Sequence, residues 1–75
     1  MYKLKEEFMD EFKMIRTAVY SDTVGCDLTF VSSILNRNRE CSEIIAKSLI
    51  SVRHGMTFTD IHTLGLLEKY FIKER

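Results

Sequence analysis

Apolar residues recur along the first quarter of the chain at steps of four, four, three and four: Leu4, Phe8, Phe12, Ile15 and Val19. At 3.6 residues per turn these positions fall within about 80° of arc. The spacing predicts one long amphipathic helix over residues 3–20, with Lys3, Glu6, Glu7, Asp10, Lys13 and Arg16 on its solvated side. Tyr2, Met9 and Tyr20 gather beside the main stripe, a wider apolar band than one small core requires.

Loop chemistry follows in Ser21–Asp27, where Gly25 suits a left-handed turn and Asp27 suits the cap of a helix opening at Leu28. Leu28, Val31, Ile34 and Leu35 then mark a short helical face, with Phe30 beside it. In the stretch LNRNREC, Asn38 stands where an N-cap is wanted, Glu40 and Glu43 follow in the first turn, and Ile44, Ile45, Leu49 and Val52 continue at helical spacing. The pattern favours a break at this Asn-Arg-Asn-Arg corner, although positions 31, 34, 41, 45, 49 and 52 would also fit one unbroken helix over 28–54. Arg53, His54 and Gly55 suit a helix end. Thr57 and Asp60 have the spacing of a capping box, with Thr59 an alternative cap. The last helix carries Ile61, Leu64, Leu67 and Phe71 on one face and Leu66 and Tyr70 on another. Gly65 in its interior costs about 1 kcal/mol relative to Ala, which suggests another backbone close by.

Composition supports the helical reading. The 75 residues include no Pro, no Trp and only three Gly, and 45% are hydrophobic. The expectation is therefore an all-α fold, a single helical domain over residues 1–75, built as a small bundle of three or four helices. A chain this short hides only about 60% of the surface it exposes when unfolded, which makes dimerisation a natural way to cover more. The charged N-terminus and the short apolar runs predict neither a signal peptide nor a membrane span, and two cysteines without a secretory segment suggest a cytoplasmic protein with reduced thiols.

Charge narrows the functions. Eleven basic residues balance eleven acidic ones, so the chain has no positive surplus with which to draw in a polyanion. The one locally basic segment holds Arg37, Arg39, Lys47 and Arg53 against Glu40 and Glu43. A DNA-reading helix-turn-helix centred on Asn36–Asn38 would use those four residues. It would also place Arg37 and Ser42 where apolar side chains are wanted. Cys26, Cys41, His54 and His62 lack the close spacing of zinc ligands, and Cys26 has no evident base, so neither a metal, a cofactor nor an enzyme is implied. The first expectation is a regulatory or adaptor protein that binds a protein partner, as a homodimer, through Tyr2, Met9, Tyr20, Leu66 and Tyr70. The second is a small DNA-binding transcriptional regulator using the basic segment 37–53.

Overall fold

Asp27, Ser42 and Thr57 each precede a run containing aliphatic side chains, and each starts a helix by accepting a backbone N–H. Asp27 accepts from Thr29 at 3.2 Å, Ser42 from Ile45 at 3.3 Å and Thr57 from Asp60 at 3.2 Å. The computed structural model describes residues 1–74 and is mostly helical. In order it contains β1 (Tyr2–Leu4), a 3₁₀ turn (Glu6–Phe8), α1 (Met9–Lys13), α2 (Thr17–Val24), α3 (Leu28–Leu35), α4 (Glu43–His54), α5 (Phe58–Thr63), α6 (Leu66–Tyr70) and β2 (Phe71–Lys73).

The helical character read from the pattern is present, but the described residues divide it into six α-helices and add a two-stranded sheet. The predicted helix over 3–20 is three separate pieces. Tyr2–Leu4 is extended because it pairs antiparallel with β2, Tyr2 opposite Lys73 and Leu4 opposite Phe71. The chain then leaves helical geometry after Lys13 and starts again at Thr17. The interruption shifts the phase, so that Tyr20 points inward while Val19 is 45% exposed.

Residues 28–54 are broken at the corner, as the capping chemistry favours, but the cap of α4 is Ser42 and not Asn38. Asn38 instead helps to close α3: its N–H donates to Ser33 O at 2.9 Å and that of Arg37 to Ile34 O at 3.1 Å. This is the Schellman pattern, with Arg37 at φ 63° in the left-handed place usually taken by glycine. The Arg37 Nε donates to Leu4 O at 2.8 Å, tying the corner to β1.

Gly65 is not approached by another backbone. A Cβ there would meet only Glu68 Oε1, at 3.9 Å. The glycine is needed because φ is 65°, the left-handed turn that separates α5 from α6. Gly65→Ala is expected to cost about 1–2 kcal/mol through backbone strain alone. Gly65→Asn should cost less, since Asn tolerates that region. Urea midpoints of the two variants check the order.

The core is one connected cluster in which Leu4, Phe12, Tyr20, Val31, Ile34, Cys41, Leu49, Ile50, Ile61, Tyr70 and Phe71 are buried. Phe12 lies at its aromatic centre, 6.3 Å from Tyr20, 5.2 Å from Tyr70 and 6.1 Å from Phe71 between ring centroids. The Tyr20 hydroxyl donates to Phe12 O at 2.6 Å. Burial pushes the Tyr20 phenol up to about 12 and the Cys41 thiol up to about 12, from ordinary values of 10.0 and 9.0. Both groups hold their protons longer in the folded state than in the unfolded one. Their contribution to stability is therefore full below about pH 9 and falls as pH rises towards 12, where the unfolded chain ionises first. Denaturant midpoints measured across that range are expected to decline, and Tyr20→Phe should flatten the upper part of the decline.

Candidate nucleic-acid interface

The three residues Gly25, Cys26 and Asp27 join two eight-residue helices, and each has a definite part in the turn. Gly25 takes φ 77° and its N–H donates to Ser21 O at 2.8 Å, ending α2. Ser21, a small residue, donates its hydroxyl to the carbonyl of Cys26 and holds the turn against α2. Asp27 then caps α3. Tyr20 from α2 and Val31, Ile34 and Leu35 from α3 are buried, with Val24 and Cys26 packed at the margin. Two short helices are thus joined by a three-residue turn containing glycine, with Tyr20, Val31, Ile34 and Leu35 inward and Val19 and Leu28 outward, a layout like that of a helix-turn-helix. Its turn lies one helix upstream of the corner where the sequence suggested such a motif.

The outward side of α3 is chemically different from its inward side. Leu28, Thr29, Ser32, Ser33 and Asn36, together with Thr17 at the start of α2 and Asn38 beyond α3, line an open groove of about 350 Å³ that contains no charged side chain. Several of its polar groups are engaged locally. Ser33 Oγ donates to Thr29 O at 2.9 Å, the Asn36 amide donates to Ser32 O at 2.9 Å and to Ser32 Oγ at 3.3 Å, and Asn36 Oδ1 accepts from Lys13. Exposed basic residues stand nearby. Lys13 reaches the α3 end through Asn36, Arg16 precedes Thr17, and the Arg39 guanidinium lies 5.0 Å from the centre of the Phe30 ring. Short polar side chains that leave room for a second surface, flanked by cations, suit a helix that enters a nucleic-acid groove.

The structure distributes the sequence-derived candidates differently. Tyr2, Tyr20, Leu66 and Tyr70 are buried and Met9 is partly buried against the same core, so their apolar surface is already covered within the chain. The physical reasons are the strand pairing that holds Tyr2 between Lys73 and Cys41, the break near residues 14–16 that turns Tyr20 inward, and the turn at Gly65 that starts α6 with Leu66 and Tyr70 inward. Among the four basic residues, Arg37 is committed to Leu4 O, Lys47 sits 3.0 Å from Glu43, and Arg53 lies 3.5 Å from Glu11. Lys47 holds the Glu43 carboxyl below its ordinary range, with a smaller contribution from the Tyr2 hydroxyl. Arg39 alone of the four is exposed, next in sequence to the groove-lining Asn38 and stacked over Phe30. Thr17, Thr29, Ser32 and Ser33 were not singled out from the sequence. The signal that marks them is Gly25 flanked by Tyr20, Val24, Val31 and Ile34, and it is hidden once residues 3–20 are read as a single helix.

His54 Nε2 lies 2.7 Å from the Tyr70 hydroxyl and 3.9 Å from Glu11, which places it in a packed polar contact. Among the described residues no three His, Cys, Asp or Glu side chains gather in a way that could hold a metal ion, and no helix is long and apolar enough to cross a membrane. Comparison with protein-family models, curated proteins and solved structures gives no match.

Proposed function

We propose that the protein is a small regulator that binds duplex DNA through α2 and α3, with α3 entering the major groove and acting as one half of a homodimer. The observation that carries this reading is the division of α3 into a buried apolar side, locked to α2 through Gly25 and Ser21, and an outward side of short polar residues with Leu28 at its start. The role of DNA contact passes from the basic segment 37–53 as a whole to Thr17, Thr29, Ser32 and Ser33 for the groove, with Lys13, Arg16 and Arg39 for phosphates. The protein-partner reading is retained in the homodimer alone, because four of the five side chains first expected to make such contacts are buried and Met9 is partly buried.

A second copy is favoured on two grounds. The chain has no net charge, so one helix-turn-helix has few phosphate contacts from which to draw affinity, and doubling them is the simplest remedy. The sheet also offers a self-complementary edge. β1 is flanked by β2 on one side and bridged to Cys41 on the other, which leaves β2 outermost with Ile72 43% exposed. An outer strand with an apolar side chain at its centre can pair with its own copy around a two-fold axis. The free thiols Cys26 and Cys41 accord with a reducing compartment such as the cytoplasm.

Fluorescence anisotropy with a labelled duplex, read at about 50 and 200 mM salt, tests the reading. Binding that is clear at the lower concentration and falls steeply at the higher supports it, and no binding at the lower concentration overturns it. Sedimentation velocity of the wild type and of Ile72→Lys tests the dimer. The wild type is expected to associate and the variant to sediment as a monomer with weaker DNA binding.

A further inference from the structure

Leu28 is the one apolar side chain on the groove-lining side of α3, and it is 51% exposed as the first residue of that helix. Its aliphatic neighbours Val31, Ile34 and Leu35 are buried, which leaves Leu28 as the one aliphatic side chain of α3 outside the core. In a helix-turn-helix the N-terminal residues of the second helix are those that meet base edges. We infer that Leu28 is a specificity-determining residue that reads the 5-methyl group of a thymine in duplex DNA. This deepens the DNA-binding reading and rests on it.

The chemistry leaves few alternatives. A leucine side chain has no donor or acceptor, and in the major groove the thymine methyl is the one apolar feature that a base edge presents. Guanine or cytosine at the same place would bring a carbonyl or amino group against Leu28 and leave it without a hydrogen bond, an arrangement that costs affinity. The rest of α3 supports the same preference. Its eight residues contain no Arg or Lys, so the helix lacks the side chains that most commonly read guanine. Asn36 could in principle read adenine, but its amide is engaged with Ser32 and its carbonyl oxygen with Lys13. Base reading from α3 therefore falls on Leu28, Thr29 and Ser32, and Leu28 supplies its apolar part.

The test uses the full chain and a library of random duplexes, from which bound sequences are selected at low salt. In a selected duplex, each thymidine is replaced in turn by deoxyuridine, which removes the methyl and leaves the Watson–Crick edge intact. At one thymine per half-site the replacement is expected to weaken wild-type binding about fourfold, the value of one buried methyl-sized group. Leu28→Ala is expected to bind the thymine and uracil duplexes alike, and Leu28→Met to regain the difference. Circular dichroism should show both variants as helical as the wild type. Selected duplexes that bind well but show no uracil-sensitive position overturn the inference and leave the DNA-binding reading standing, as does a Leu28→Ala variant with undiminished uracil sensitivity. A library from which nothing binds overturns both.

Discussion

Phe12→Ala is expected to unfold the chain or leave it barely folded at 25 °C. Removing a buried phenylalanine costs about 3–5 kcal/mol. At about 0.05–0.15 kcal/mol per residue, a chain of this length has a total of about 4–11 kcal/mol to lose. Phe12 is the one buried residue of α1, a five-residue helix far too short to persist without tertiary packing. Its ring also joins distant parts of the chain, stacking on Tyr20 of α2 and meeting Tyr70 and Phe71 edge-on at the junction of α6 and β2. Loss of α1 would release Lys13 from Asn36 and loosen the rim of the α3 groove, so the DNA binding proposed for α3 should fail together with folding. Urea titration followed by circular dichroism measures the effect. Phe12→Leu, which keeps much of the volume, should remain folded with a lower midpoint. An alanine variant with an unchanged midpoint would mean that the aromatic cluster does not join these elements.

What could be read from the sequence was what is decided within a few residues. Asp27, Thr57 and Gly55 act at the helix ends that their chemistry indicates, and Gly25 takes the left-handed turn expected of it. The corner at residues 36–41 was legible as a corner, but its internal construction was not. Asn38 satisfies the sequence rule for an N-cap and is used to close the preceding helix, because Arg37 adopts the left-handed conformation that no Gly was present to announce. That choice is made in part by Leu4, more than thirty residues away, whose carbonyl receives the Arg37 side chain.

Non-local pairing accounts for the other differences. Tyr2, Lys3 and Leu4 show a buried, half-buried, buried alternation, yet three residues are too few to declare a strand, and their partner lies at 71–73. Leu4, Phe8, Phe12, Ile15 and Val19 fit a single helix because short segments in different conformations can share an apolar spacing by chance. With no Gly or Pro at residues 14–16, nothing local marked the interruption. The cost of that reading was the candidate interface on α3. A helix continuous to residue 20 conceals the start of α2 at Thr17, and without α2 the turn at Gly25 has no first helix to belong to. Tyr20 then looks like surplus apolar surface, when it is the buried residue of α2, stacked on Phe12 and bonded to its carbonyl.

Thr29→Glu should separate folding from the DNA binding proposed for α3, because the two respond to the new charge in different ways. Thr29 is exposed and is the second residue of α3, where the helix dipole favours an anion by about 0.3–1 kcal/mol. Asp27 beside it opposes part of that gain, so the net change in stability should lie within about 0.5 kcal/mol of zero. On DNA the same carboxylate would face phosphates and lose the threonine hydroxyl from the groove. Like charges set against each other across an interface cost several kcal/mol, so the expected loss of affinity is about a hundredfold. Thr59→Glu provides a matched control. Thr59 is likewise exposed, is the second residue of α5 and follows a capping residue, Thr57, but it does not line the groove. Both variants carry one extra negative charge, and both place it in the first turn of a capped helix. If α3 meets DNA, only Thr29→Glu should lose most of its binding in an anisotropy titration. Equal losses in the two would show that overall charge, and not the face of α3, governs the interaction.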